Sequence, residues 1–255
     1  MIFVDTHTHL YLEQFDDDRQ EAVKRAIEAG VTQLLLPNVD IETVEPMLEV
    51  AAQFPENCKP MMALHPTSVK EDYIEKLEEV RNLLFSGRFI AVGETGIDLY
   101  WDKTFIKEQI YSFEKHIEWA IKLDLPLIIH ARKSLNEIFN VLDNYKNSNL
   151  KGVFHCFPGN IDEAKKAVDL GFFLGIGGVV TYKNSAMAKV VQEVPLESIL
   201  LETDAPYLPP VPYRGKRNES SYIPVIAQKI ADIKGVDVEV VAKTTTVNAG
   251  RLFAL

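Results

Sequence analysis

The chain has 255 residues, 47% of them hydrophobic and 25% charged, which is ordinary for a globular protein large enough to bury a substantial core. Its formal net charge of −10 argues against a general affinity for nucleic acid or for an anionic membrane, although a local basic pocket or a bound cation could still attract phosphate. Because it has two cysteines, no signal-peptide features and no apolar run near the roughly 18 residues of a membrane span, we expect a cytoplasmic protein without a disulfide framework.

Short apolar runs alternate with longer amphipathic segments along the whole chain. The runs predict eight β-strands, at 2–5, 31–39, 60–65, 89–94, 126–130, 152–156, 172–177 and 198–204. Helical spacing of apolar residues is clear at 17–29, 104–123, 161–170, 220–234 and 237–251. Parallel neighbours need crossover connections, so this alternation predicts parallel strands, and eight repeats favour a closed (β/α)8 TIM barrel over an open sheet. Since no linker interrupts the pattern, residues 1–255 are expected to form a single domain.

Histidines and acids concentrate where the predicted strands end. Five of the six histidines lie there, and two acids occupy equivalent places. The seven residues are His7, His9, His65, Glu94, His130, His155 and Asp204. Imidazole and carboxylate are the ligands of catalytic divalent-metal sites, and the carboxyl ends of parallel barrel strands form one mouth. The pattern therefore predicts a metal site at the C-terminal face of the barrel.

Residue spacing adds detail to this site. Side chains two apart on a strand point the same way, so His7 and His9 project together from the first strand. By the same rule Glu202 lies on the side of Asp204 in the eighth strand, and we expect it near the metals, just below Asp204.

Structural roles are the alternative for single members of the set. A lone histidine at a strand end is often only hydrogen-bonded, and this suits His65 best because a proline follows it. Glu94 could cap the segment that follows it. His116 lies within a predicted helix and is interpreted as structural. Independent structural explanations for six or seven such positions, on at least five strands, are improbable.

Four imidazoles and two carboxylates supply enough donors for two ions. Paired ions about 3.5–4 Å apart suit the hydrolysis of phosphate esters. In this interpretation Glu94 bridges the ions, and His130 and His155 complete the shell of the second ion. Asp204 binds one ion and takes the proton of the nucleophilic water. The donor set does not choose between Mg²⁺, Mn²⁺ and Zn²⁺.

Cations near the predicted site are candidates for binding substrate phosphate. They are Arg132, two residues after a histidine, and Arg214, Lys216 and Arg217 in the loop after the eighth strand. A solvated basic loop is the alternative for the last three. Tyr100 and Trp101 follow the fourth strand and Tyr207 follows the eighth; they could stack on bases or simply cover the barrel rim.

Six motifs together resemble the TatD family of metal-dependent deoxyribonucleases, within the wider superfamily of metallo-dependent hydrolases. They are DTHTHL at 5–10, GETGIDLYWD at 93–102, IIHAR at 128–132, HCFPG at 155–159, ETDAPYL at 202–208 and PYRGKRNE at 212–219. The resemblance covers essentially the whole chain. Pro158 stands where Ser is usual and Tyr213 where His is often found; these departures bear on substrate preference rather than on the ligands.

The resemblance implies a divalent-metal-dependent nuclease that acts as a 3′→5′ exonuclease on single-stranded DNA ends. It implies metal ligands at His7, His9, Glu94, His130, His155 and Asp204 and, together with Asp204, catalytic roles near the scissile phosphate for His65 and Glu202. Other phosphate-bearing substrates remain open, and nothing indicates an obligate protein partner.

Two alternatives to nuclease activity are left. One is hydrolysis of a small phosphoester, an amide or a lactone. Many barrel hydrolases of that kind bridge their metals with a modified lysine on strand four, whereas FIAVGETG contains none. The other is a non-catalytic metal-binding barrel, which is disfavoured because every ligand position is filled.

Overall fold

Eight parallel strands follow one another around the molecule in chain order, as a computed structural model of residues 1–255 shows. They are β1 Phe3–Asp5, β2 Val31–Pro37, β3 Cys58–Met61, β4 Val92–Asp98, β5 Leu127–Arg132, β6 Gly152–Phe154, β7 Phe172–Ile176 and β8 Ile199–Leu201. Regular ladders join β1 to β3 and β4 to β8.

Backbone hydrogen bonds outside these ladders close the two sheets into a barrel. Gly93 N–H donates to the Met62 carbonyl at 3.1 Å and links the end of β3 to β4. Thr6 N–H donates to the Leu201 carbonyl at 3.0 Å and links β1 to β8. The predicted (β/α)8 barrel is therefore confirmed.

Helices connect the strands on the outside. They are α1 Arg19–Glu28, α2 Val44–Gln53, α3 Tyr73–Leu84, α4 Ile106–Leu123, α5 Leu135–Leu142, α6 Ile161–Asp169, α7 Met187–Glu193, α8 Ile223–Lys234 and α9 Val238–Phe253. The five predicted helices are present to within a turn at each end. Asn160 caps α6 through a reciprocal arrangement with Glu163, which explains its sharp start. No helix combines the length and the apolar character needed to cross a membrane.

The barrel interior is filled by a layer of apolar side chains drawn from or next to seven of the strands. They are Val4, Leu35, Met61, Ala91, Ile128, Val153 and Leu200. Helix α9 covers the N-terminal end of the barrel: Leu252 and Phe253 pack on this layer, and Asn248 donates to the Ile199 carbonyl at 2.9 Å. This end is closed by apolar packing, so polar chemistry is left to the opposite end.

The period of two along each strand places the site directly above this layer. His130 follows Ile128 by two residues, His155 follows Val153, and Glu202 follows Leu200. The same alternation that buries apolar residues low in the barrel thus turns imidazoles and carboxylates inward at its C-terminal end.

Four strands differ from their predicted bounds at the site. Strand β6, predicted at 152–156, ends at Phe154, and β8, predicted at 198–204, ends at Leu201, so His155 and Asp204 follow their strands. Strand β4 was predicted at 89–94 but runs from Val92 to Asp98, so Glu94 lies inside the strand and does not cap the next segment. Strand β3 ends at Met61, so His65 lies beyond it and caps a short 3-10 turn. The apolar run marks the lower part of each strand, while polar residues that face the site continue β4.

Strands β5 and β6 approach each other closely at Gly152, and a substitution there tests this packing. A Cβ atom at this position would lie 2.1 Å from the Leu127 carbonyl oxygen of β5. We expect Gly152→Ala to lower the free energy of unfolding by about 3 kcal/mol, because the added methyl group would force the β5–β6 ladder apart. Gly250→Ala in α9 is the control. It meets nothing nearer than 4.0 Å, and it should raise stability by about 0.5–1 kcal/mol. Equal effects of both substitutions in urea denaturation would contradict this packing account.

Candidate metal centre

The buried carboxylate of Glu94 lies at the centre of the histidines at the C-terminal end of the barrel. Its Oε1 is 2.7 Å from His130 Nδ1 and its Oε2 is 3.1 Å from His7 Nε2. Oε1 is also 3.4 Å from His65 Nε2 and 3.6 Å from His155 Nε2. One carboxylate therefore joins two groups of imidazoles, one facing each of its oxygens.

Asp204 forms the second carboxylate of the cluster, just beyond the end of β8. Its Oδ1 lies 3.5 Å from His9 Nε2, 3.8 Å from His155 Nε2 and 3.9 Å from His7 Nε2. The side chain is more accessible than that of Glu94, since 15% of its surface is exposed against 3%. Asp204 is therefore positioned to contact both the cluster and a bound substrate.

The approach of ring nitrogens to one another tests whether this donor set fits metal ions. His7 Nε2 lies 3.2 Å from His9 Nε2, and His65 Nε2 lies 3.3 Å from His130 Nδ1. The His7 and His155 rings stack with 3.5 Å between centroids. Nitrogens that converge this closely share one proton at most, whereas a divalent cation accepts a lone pair from each.

Three groups of residues each bring their donor atoms within 4.8 Å of one another. They are His7, His155 and Asp204; His7, His9 and Glu94; and His65, Glu94 and His130. The structure thus brings all six predicted ligands together and places His65 beside them. The residues fit divalent metal ions, with Glu94 between the groups.

The carboxylates and imidazoles of the cluster shift one another's pKa values. Burial raises the pKa of Glu94, but the imidazoles of His65, His155 and His7 outweigh burial and hold it well below its usual range. Burial lowers the pKa of His155, yet the carboxylates of Glu202, Glu94 and Asp204 together raise it to about 10. Glu94 therefore stays ionised, as a metal ligand must, and the carboxylates of the cluster favour bound positive charge.

Two further carboxylates each lie close to the second ring nitrogen of a cluster histidine. Glu202 Oε1 accepts the Cys156 N–H at 2.6 Å and lies 3.2 Å from His155 Nδ1. Asp98 Oδ2 lies 3.0 Å from His130 Nε2. Each of these imidazoles therefore presents one nitrogen to the centre and the other to a carboxylate, the usual support of a metal-binding histidine.

These positions change the interpretation of two residues. Glu202 was expected near the scissile phosphate, but it is 1% exposed and lies behind His155, outside the pocket wall. Asp98 was missed. Its spacing of four residues from Glu94 on one strand was the available signal, because such residues share a face.

A pocket of about 620 Å³ opens above the cluster. Its wall includes His65, Trp101, Arg132 and Tyr207. Arg132 is the only one of the four predicted phosphate-binding cations that lines this pocket.

The basic loop after β8 has a different arrangement from the one expected. Arg217 lies 2.6 Å from an oxygen of Asp18 and 3.0 Å from one of Glu219, so its charge is already paired. Arg214 stacks 4.3 Å over the Tyr182 ring, and Lys216 is exposed. Arg217 is therefore held by acidic partners of its own chain and is not placed to bind substrate phosphate.

The buried side chain of Asn218 fixes the conformation of this loop. Its amide donates to the carbonyls of Thr203 and Tyr207 at 2.7 and 2.6 Å, which fixes the loop against the end of β8. The preceding Arg217 is thereby turned toward α1, where it meets Asp18.

A closed (β/α)8 barrel with a histidine–carboxylate cluster at its C-terminal face defines a class of metal-dependent hydrolases. A model of the family described as TatD related DNase matches residues 4–254. The chain belongs to this family.

Individual relatives agree with this assignment. The uncharacterized metal-dependent hydrolase YabD of Bacillus subtilis is 35% identical over 256 residues and is aligned over the full length of both chains. The protein named 3′-5′ ssDNA/RNA exonuclease TatD of Erwinia tasmaniensis is 31% identical, with 98% of this chain and 99% of that protein covered. The crystal structure of YjjV, a TatD homolog from Escherichia coli, superposes with a TM-score of 0.93 at 28% identity, covering 99% and 98% of the two chains.

The support of His155 by Glu202 leads to a test that does not depend on activity. Glu202→Gln removes the negative charge beside His155 Nδ1 while keeping the shape of the side chain. We expect metal affinity to fall about 10- to 100-fold, measured by competition with a chromogenic chelator. Glu197→Gln, on an exposed turn, should leave it unchanged. If the folded Glu202→Gln protein binds metal as tightly as the wild type, Glu202 does not support the site.

Proposed function

We propose that this protein is a divalent-metal-dependent phosphodiesterase that removes nucleotides from the 3′ ends of single-stranded DNA. The proposal depends on the position of Glu94, whose carboxylate contacts two groups of imidazoles at the bottom of a pocket. Arg132 lies in the wall of the same pocket. Two ions held side by side, with a guanidinium nearby, suit the charge of a phosphodiester. The name of the Erwinia relative supports this reaction.

Each ligand has a proposed place in the reaction. His7 and His9 would hold one ion, His130 and His155 the other, and Glu94 would bridge them. Such ions, when bound, lower the pKa of water and neutralise charge on the phosphate oxygens. We propose two ions, drawn from Mg²⁺, Mn²⁺ and Zn²⁺.

The remaining steps fall to side chains around the cluster. Burial raises the pKa of Asp204, but the neighbouring His155, His9 and His7 outweigh burial and leave this pKa below its usual value. The carboxylate is therefore ionised and can accept the proton of the attacking water. Burial lowers the pKa of His65, which keeps this imidazole on the pocket wall neutral and able to donate a hydrogen bond to the phosphate. We propose Asp204 and His65 as catalytic residues and Glu202 as a positioning residue.

Arg132 is the proposed contact for a phosphate within the pocket. Arg214 and Lys216 are exposed and do not line it, so we propose them as contacts for phosphates that lie outside. The net charge of −10 disfavours extended contact with duplex DNA, and we propose that a single strand enters by its end. The free thiols of Cys58 and Cys156 are compatible with the cytoplasm, which we propose as the location.

Hydrolysis of an end-labelled single-stranded oligonucleotide tests the proposed reaction. Metal-stripped protein should be inactive, and Mg²⁺, Mn²⁺ or Zn²⁺ should restore a ladder that shortens from the 3′ end. Asp204→Asn should reduce the rate at least about a hundredfold, because the proton acceptor is lost. No cleavage with any ion, despite bound metal, would contradict the nuclease proposal and redirect it to a small phosphoester, an amide or a lactone.

Salt dependence tests the role of Arg132. We expect Arg132→Gln to raise KM for the oligonucleotide and to reduce the slope of log KM against log salt by about 0.7, the value for one phosphate contact on a single strand. Arg81→Gln, on the outer helix α3, removes the same charge away from the pocket and should leave the slope unchanged. An equal slope in the wild type and Arg132→Gln would exclude this contact.

A further inference from the structure

The loop that follows β4 places an exposed indole on the wall of the pocket. Trp101 is 69% exposed, and it lines the same pocket as the metal cluster. A rim aromatic that merely covered the barrel would bury most of its surface against protein, and this one does not. Its exposed surface therefore requires another explanation.

Asp98 fixes this loop relative to the cluster. Its Oδ1 accepts the N–H of Tyr100 at 2.8 Å and that of Trp101 at 3.4 Å, while its Oδ2 lies 3.0 Å from His130 Nε2. One buried carboxylate thus orients a proposed metal ligand and anchors the two aromatic residues. The indole is held at a defined place beside the reaction centre.

The two aromatic rings of this loop differ in exposure and in how closely cations approach them. The guanidinium carbon of Arg132 lies 4.0 Å from the Tyr100 centroid, and Lys133 Nζ lies 5.0 Å from the same ring. The same guanidinium carbon lies 5.2 Å from the Trp101 centroid, so cations approach the Tyr100 ring more closely than the Trp101 ring. Trp101 meets the Tyr100 ring edge to face, at 86° and 4.8 Å, and remains the more exposed of the two.

Resting on the proposed nuclease function, we propose that Trp101 is a stacking surface for the nucleobase next to the scissile phosphodiester, and that Arg132 binds the phosphate of the same nucleotide. An aromatic face accepts any base, and a guanidinium 5.2 Å from the indole ring supplies donors to an adjacent phosphate. A base within a duplex is already stacked on both faces, so this surface selects unpaired strands.

Tryptophan fluorescence can report stacking on Trp101 directly. The chain has two tryptophans, and the other, Trp119, is buried in α4 and can be replaced. In a protein carrying Trp119→Phe and Asp204→Asn, Trp101 is the single reporter and the substrate is not consumed. We expect a short oligonucleotide to quench its emission saturably. The same oligonucleotide with abasic residues at its 3′ end should quench much less, since the phosphates remain and the bases do not.

Kinetics provides the second measurement. Trp101→Ala should raise KM for the normal oligonucleotide about tenfold or more and leave KM for the abasic one unchanged, with little change in kcat for either. Trp101→Phe, which retains an aromatic face, should recover most of the loss. Tyr111→Ala is the control, since Tyr111 is also exposed but packs against Tyr73 on the outside of the barrel.

The outcomes separate the two proposals. If the wild type degrades the oligonucleotide while Trp101→Ala leaves KM unchanged and quenching does not depend on the bases, the stacking surface is wrong and the nuclease stands. If no nucleic acid is hydrolysed but quenching still requires bases, the stacking surface stands and the reaction is wrong. If no nucleic acid is hydrolysed and quenching does not require bases, both the nuclease proposal and the stacking surface are wrong.

Discussion

The contact on which the site depends is that between the Glu94 carboxylate and the imidazoles around it. Glu94 is buried, and a buried carboxylate is costly unless it is paired. Here each oxygen faces a different group of histidines, led by His7 on one side and His130 on the other. The imidazoles thus offset the burial of the carboxylate, and the carboxylate lies between the two groups of histidines.

The barrel makes this contact available through its layers. An apolar layer fills the lower interior, and α9 covers the end beneath it, where Asn248 is bonded to the start of β8. Two residues further along the strands, the inward side chains become His130, His155 and Glu202. The packed layer gives these side chains a rigid floor, and loops at the same end carry the pocket wall. Stability and chemistry are therefore assigned to opposite ends of the same strands.

Much of this arrangement could be predicted from the sequence because it follows local rules. Alternating elements indicate a barrel, and histidines at strand ends indicate a site at its mouth. What could not be predicted depends on contacts between distant parts of the chain. Glu202 lies behind His155 because β6 and β8 turn both side chains into one interior. Asp98 was missed because β4 extends past its apolar run. Arg217 meets Asp18 across 199 residues, and no local pattern reveals such a partner.

The proposed metal centre is tested most directly by a crystal structure of the wild-type protein soaked with Mn²⁺, with anomalous differences measured near the manganese edge. We expect two peaks that share Glu94, one coordinated by His7 and His9 and the other by His130 and His155. A map with no peak at this cluster, or with metal bound only at another place on the protein, would contradict the central claim that Glu94 and the surrounding imidazoles form a paired metal site.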